Sequence, residues 1–184
     1  MKEQAKLGRY INLIEEAAKF FNDHFINKKV IYRTENQEIT VIFKRTNFMH
    51  LCGIRYTDGA AKFFRAAISK KLDLSKMGVK DDGTTFLKLS LLQSVKFLLS
   101  AEISLADRAI YLHLHFDKAL RTKKQIFALT LINDEHIFVP QSLLNLKSMN
   151  EFPHGDKVIS IKSIHLQDNT EKVYFDYQYD KCSE

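Results

Sequence analysis

Apolar residues recur along the chain in two rhythms, and the switch between them divides it. From Leu7 to about Phe25 they fall at Leu7, Ile11, Ile14, Ala18, Phe21 and Phe25. That spacing gathers them on one face of a helix of about five turns, with Glu15, Glu16, Lys19 and Asp23 elsewhere. Asn27-Lys28-Lys29 ends it, and two short strands follow, Val30–Arg33 and Ile39–Lys44. Thr57-Asp58-Gly59 reads as the entry to a second helix, Ala60–Leu72, whose core face is Phe63, Phe64, Ala67 and Ile68. After the polar connector Lys76–Gly83, Thr84 or Thr85 caps a third helix to about Ser100. Its Leu89, Leu92, Val95 and Leu99 share a stripe that Leu91 and Leu98 widen, which places it at the centre of the core.

Beyond Leu105 the period becomes two. Ile110–Phe116, Gln125–Ile132, His136–Val139, Val158–Leu166 and Val173–Tyr179 alternate or carry β-branched and aromatic residues. Short links between sequential strands predict antiparallel pairing, with the helices covering one face. The longer connector, Pro140–Asp156, leaves room for a turn of helix at Ser142–Leu146. Nothing interrupts residues 1–184 as a domain boundary would, so a single domain is expected.

Composition adds a constraint on partners. The 184 residues include 14 Phe and 7 Tyr, enough for a sizeable core, while 2 Pro and 6 Gly argue against disorder. A net charge of +6 and a pI near 9.2 favour a polyanionic partner: RNA or another nucleic acid, an acidic protein, or a membrane surface. No run approaches the roughly 20 apolar residues of a membrane span, so no membrane partner is expected. The start, Met1 to Lys6, leads into an amphipathic stretch and not a signal peptide. Cys52 and Cys182 are too far apart for a disulfide framework or a paired-cysteine zinc site, so a cytoplasmic setting is expected.

Five places carry candidate chemistry. In Thr46–Ile54, His50 has the titration range of a general acid or base, with Lys44, Arg45 and Arg55 near enough in sequence to bind phosphate. The bland alternative is a buried imidazole bonded to backbone, with Gly53 making a bend. In Tyr111–Phe116, a strand would project Tyr111, His113 and His115 from one face, the imidazoles about 7 Å apart. They suit phosphate or proton transfer; no third ligand at motif spacing supports a metal, and the same pattern also describes a plain outer strand face. Lys118, Arg121, Lys123 and Lys124 follow, as a loop able to neutralise phosphates or simply to be solvated. Arg65, Lys70, Lys71, Lys76 and Lys80 form a second basic cluster. Lys88 stands in the first turns of the third helix, where the macrodipole disfavours a cation and invites a functional reason.

The chain has no P-loop, no G-x-S-x-G elbow, no His-Glu-x-x-His and no dinucleotide fingerprint. No cofactor or metal is expected. A ribonuclease without metal needs only a base for the 2′-hydroxyl, an acid for the leaving oxygen and cations for the phosphate.

The run Asn47-Phe48-Met49-His50-Leu51-Cys52-Gly53-Ile54 carries a family resemblance. It is supported by Phe63-Phe64, by Thr84-Thr85-Phe86-Leu87-Lys88-Leu89 and by Phe138-Val139-Pro140-Gln141-Ser142-Leu143-Leu144. The chain resembles the phage-associated nuclease-like domains grouped with the barnase–EndoU–colicin–RelE fold, in particular their fourth group. The resemblance implies a phage or mobile-element origin, RNA-cleaving or toxin-like activity, and a strongly bent sheet. His50 and Gly53 match the family's signature and Lys88 its basic position, while Cys52 stands where a small or aliphatic residue is expected.

The fold expectation is therefore α+β, with N-terminal helices packed on a C-terminal bent antiparallel sheet of about five strands. Two functions compete. One is a metal-independent endoribonuclease using His50, Lys88 and His113 or His115, with Arg55, Tyr111, Lys118, Arg121, Lys123 and Lys124 on the substrate. The other is a non-catalytic binding protein on the same scaffold, which inhibits or regulates a host nucleic-acid or defence machine through a host protein or nucleic acid.

Overall fold

The computed structural model describes residues 2–111, 113–124, 126–147 and 152–177. Leu112, Gln125, Tyr179 and Cys182, which the sequence assigned to strands or to the tail, lie outside them. In chain order the elements are α1 (Lys2–Gly8), α2 (Ile11–His24), β1 (Lys28–Arg33), β2 (Glu38–Ile42), α3 (Asn47–Cys52), β3 (Ile54–Tyr56) and α4 (Ala60–Ile68). A 3-10 turn at Leu74–Lys76, β4 (Met77–Val79), α5 (Thr85–Leu89) and a 3-10 helix at Leu92–Leu99 follow. The second half holds β5 (Ile103–Ala106), β6 (Ala109–Tyr111), β7 (Leu114–Phe116), β8 (Lys118–Thr122), β9 (Phe127–Asp134) and β10 (Ile137–Asn145). It ends with β11 (Asp156–Lys157), β12 (Ser160–His165) and β13 (Glu171–Asp176).

The α+β class holds, but the sheet is larger than expected. Among the described residues it is a curled sheet of nine strands in the order β11-β5-β8-β9-β10-β2-β1-β12-β13. The strands of the N-terminal half, β1 and β2, sit inside it, and β5, β8 and β11 join it as well. Pairing is antiparallel except at one seam, where Phe138 of β10 lies opposite Val41 of β2 with the strands parallel. The long connection between β2 and β10 makes that direction accessible. Ser142–Leu146, expected as a helical turn, falls in β10 up to Asn145 instead.

Two predicted helices are broken. Arg9 and Tyr10 turn the chain between α1 and α2, the Tyr10 amide donating to the Leu7 carbonyl at 2.9 Å. The expected third helix is only the five residues of α5 before it tightens to the 3-10 form. In little more than one turn, first and last coincide, so the macrodipole gives Lys88 no clear preference.

One buried core joins Phe21, Phe48 and Phe63 of the helices to Val30, Val41, Leu129, Leu143 and Ile161 of the sheet. The rings of Phe21 and Phe43 stack at 4.4 Å, and those of Phe48 and Phe63 at 5.8 Å. Burial of this kind supplies most of the driving force for folding. On β9, Phe127, Leu129 and Leu131 enter that core, while Ala128 belongs to a smaller cluster with Phe116 and Phe152. Alternation along the strand thus buries both its faces.

Candidate active site

The parallel seam positions the site. Because β2 and β10 run the same way past Val41 and Phe138, the chain leaving β2 into α3 meets the residues of β10 that follow Phe138. The Asn47 side chain fastens the two: its Oδ1 accepts from the Lys44 amide at 2.7 Å and its Nδ2 donates to the Pro140 carbonyl at 3.4 Å. At that point β10 bulges. Pro140 faces Leu131 and Ser142 faces Thr130, which leaves Gln141 as an extra residue without a partner across β9. Such a bulge re-aims side chains locally.

Gly53 ends α3 in the left-handed region, at φ 65°. Any Cβ there would stand 3.0 Å from Lys88 Cδ and 3.2 Å from Thr85 Cα, so glycine allows α5 to close against α3. Thr85 does not cap its helix with its side chain. Its hydroxyl donates to the Gly53 carbonyl and accepts from the Lys80 amide at 2.9 Å. Thr85 thereby draws Lys80 and Lys88 to the end of α3.

The result is a cluster of two lysines and an imidazole. Lys88 is 8% exposed, and its ammonium donates to the Ser142 hydroxyl at 3.0 Å. Among the described residues no carboxylate forms a salt bridge with it. Burial, then the charge of Lys80, holds its pKa below the ordinary lysine value, with Asp82 and Cys52 opposing. His50 reaches solvent, and its Nδ1 lies 3.2 Å from the Lys80 ammonium. An ammonium only donates, so Nδ1 accepts and the ring proton belongs on Nε2. Partial burial first, then Lys80 and Lys88, lowers the His50 pKa, while Asp82 and the Gln141 main chain raise it. The imidazole is therefore held neutral near pH 7 and can accept a proton. The Cys52 thiol is buried and pushed far above its usual value, so it stays protonated.

Gln141 lies between this cluster and the other candidate region. Its Nε2 donates to the His115 carbonyl at 3.0 Å, and its Oε1 is buried with no hydrogen-bond partner. The expected strand Tyr111–Phe116 is a hairpin, with β6 and β7 paired as Tyr111 to Leu114 and Ile110 to His115. His113 sits in its turn at φ 65°, so Tyr111, His113 and His115 do not share one strand face. His113 and His115 are exposed; Tyr111 packs on Phe152 with ring centres 5.6 Å apart.

The remaining cations spread out. Arg55 on β3 is exposed and ion-paired with Asp81, the residue after Lys80. Lys118, Arg121 and Thr122 lie in β8, not in a loop. Lys118 pairs with Asp107 and Gln37, and Arg121, 3% exposed, donates from Nη1 to the Phe152 and Pro153 carbonyls. Lys123 and Lys124 are exposed at the end of β8. That end lies beside Phe127, four residues along β9 from the Leu131 that faces Pro140, or roughly 13 Å away. Among the described residues no three His, Cys, Asp or Glu side chains gather as metal ligands would. No helix among them is long and apolar enough to cross a membrane.

Lys80, Gln141 and Ser142 had no assigned role in the sequence reading. Lys80 was one member of a charge cluster, and Gln141 and Ser142 were part of the family resemblance only. The signal available was the Pro140-Gln141-Ser142 run, a proline and two polar residues inside an otherwise apolar strand.

No curated protein and no solved structure gave a match to the chain. A family model does match it, over residues 13–180, and takes in α3, α5 and β10 together. The chain belongs to the family described as phage-Barnase-EndoU-ColicinE5/D-RelE like nuclease4, a nuclease-like group.

Proposed function

We propose that the protein is a metal-independent endoribonuclease, toxin-like and of phage or mobile-element origin, and that its centre is His50 with Lys80 and Lys88. The observation that carries this reading is a neutral, solvent-reaching imidazole flanked by two ammonium groups, one of them buried and, among the described residues, in salt-bridge contact with no carboxylate. A buried cation lacking a counter-ion is costly, and a phosphate would supply the missing charge.

In the proposed reaction a phosphodiester of RNA lies between the lysines, its non-bridging oxygens accepting from Lys88 and Lys80. Lys80 turns from His50 to the phosphate and frees Nδ1. That nitrogen takes the proton of the adjacent 2′-hydroxyl as its oxygen attacks phosphorus. The bond from phosphorus to the 5′-oxygen breaks, and an imidazolium, His115 or His113 of the hairpin, protonates the leaving oxygen. The products are a 2′,3′-cyclic phosphate and a 5′-hydroxyl end. The positive charge stabilises the phosphorane-like transition state more than the ground state. Arg55, Tyr111, Lys118, Arg121, Lys123 and Lys124 are assigned to the substrate with less support, because Lys118 and Arg121 already hold protein partners.

The test is incubation of the purified protein with RNA in EDTA, with product ends analysed. Cleavage leaving cyclic phosphates, and its loss in His50→Ala, is the expected result. Absence of cleavage, or cleavage unchanged by His50→Ala, overturns the reading. Salt-sensitive RNA binding without any cleavage would favour the non-catalytic binding protein instead.

A further inference from the structure

Next to the lysine–imidazole cluster, the β6–β7 hairpin and β9 enclose a cavity of about 450 Å³ lined by Arg108, Ile110, His115, Phe116, Asp117 and Ile132. Its size falls in the range of pockets that hold a nucleoside-sized ligand. Its walls are of two kinds. Phe116 and Ile132 are apolar, and Ile110 is 66% exposed, a large aliphatic side chain left in solvent on the hairpin. Arg108 supplies a planar, solvent-exposed cation that pairs with Asp117 Oδ1 at 3.3 Å, while Asp117 Oδ2 accepts from the Asn133 amide at 2.9 Å. Apolar walls beside a guanidinium suit the flat face and polar edge of an unpaired base.

The cavity is also in the right place. Ile132 faces Val139 across the β9–β10 ladder, two positions before Gln141. His115, on the cavity wall, receives the Gln141 side chain at its carbonyl, and the Gln141 main chain acts on His50. One residue therefore separates the imidazole from the cavity. The protein's net charge of +6 suits the polyanion that would run between them.

We infer that this cavity is a base subsite, which takes the unpaired nucleobase of the nucleotide beside the phosphate held by Lys80 and Lys88. The inference rests on the ribonuclease reading for the identity of that phosphate, but base binding does not require cleavage. It makes single-stranded RNA the substrate class, since a base in a duplex stack cannot enter without being extruded.

The experiment titrates the full-length protein with short fluorescent 2′-O-methyl homopolymers of each base, which lack the attacking hydroxyl and stay intact. The wild type should bind one homopolymer roughly tenfold tighter than the weakest, the scale of one base contact. Ile132→Trp, which fills the cavity, and Ile110→Ser, a neutral change at an exposed position that folding does not need, should both erase this preference. They should leave the salt-sensitive, base-independent binding in place. A preference retained in Ile110→Ser, no preference in the wild type, or equal binding of a duplex overturns the inference. RNA cleavage lost in His50→Ala with unaltered base preference in the cavity variants sinks the subsite alone. A cavity-dependent base preference in a protein that never cleaves RNA sinks the catalytic reading alone.

Discussion

The Lys80 ammonium sits 3.2 Å from Nδ1 of His50, thirty residues away in sequence. The contact exists because β3 and β4 pair, Ile54 opposite Val79, and so return the chain to the end of α3. It ties the titration of the imidazole to the neighbouring cation.

Removing that cation should move the pH dependence of cleavage. His50 titrates below its ordinary value of about 6.5, first through partial burial and then through Lys80 and Lys88. The base form therefore persists to lower pH than in a free histidine. Lys80→Gln removes one lowering cause and leaves burial, so the acidic limb of the pH–kcat/KM profile should shift to higher pH. A limb that stays in place shows that Lys80 does not set the titration. The same depression implies that the folded state is less stable once the pH falls below 6.5 and the unfolded ring takes up a proton first. That loss should be smaller in His50→Ala.

Lys88→Met should separate stability from activity. The thioether side chain matches the buried stem of Lys88 in length, and the change removes a buried charge that, among the described residues, pairs with no carboxylate in a salt bridge. Its cost is the single bond to Ser142. The melting temperature should hold or rise, by up to about 2 kcal/mol in stability. Cleavage should fall by on the order of a hundredfold or more. A variant that melts earlier and cleaves normally contradicts both halves.

Gly53→Ala should cost about 1–2 kcal/mol from the left-handed backbone alone. The added methyl also meets Lys88 Cδ and Thr85 Cα within 3.2 Å, so kcat should drop through displacement of Lys88. Denaturant titration alongside steady-state kinetics checks both effects; neutral values in each would remove Gly53 from the architecture of the site.

Phe63 is fully buried between Phe48 and Tyr56, with ring centres 5.8 and 5.4 Å away. Phe63→Ala should cost about 3–5 kcal/mol in equilibrium unfolding. A loss under about 1 kcal/mol would mean that the cavity collapses or that the helix layer is dispensable.

The sequence was informative where a single rhythm decides burial. β2 buries Ile39 and Val41 and turns Thr40 and Ile42 outward as a half-buried strand should, and α4 buries Phe63, Phe64 and Ala67 as spacing predicts, although Ile68, expected with them, is exposed. It misled where one residue interrupts a rhythm that otherwise continues: the stripe from Leu7 to Phe25 crosses a turn at Arg9 and Tyr10, and the stripe after Thr85 passes from α5 into a 3-10 helix. β8 was hidden because Lys118-Ala119-Leu120-Arg121-Thr122 carries charge at both ends, although Arg121 is buried by the carbonyls it binds. His50, Gly53 and Lys88 were legible through a local motif. Lys80 and Gln141 were not, because a strand pairing and a bulge create their nearness and neither leaves a mark in spacing.

The bulge at Gln141 also sets how easily this fold can change its role. Pro140 and Ser142 already face consecutive residues of β9. Excising Gln141 would join them into an unbroken ladder, losing no strand pairing while removing the link between His50 and the hairpin. On the nuclease reading, loss of one codon would therefore part the imidazole from the hairpin while keeping the ladder, a short evolutionary path from cutting a nucleic acid to merely holding it.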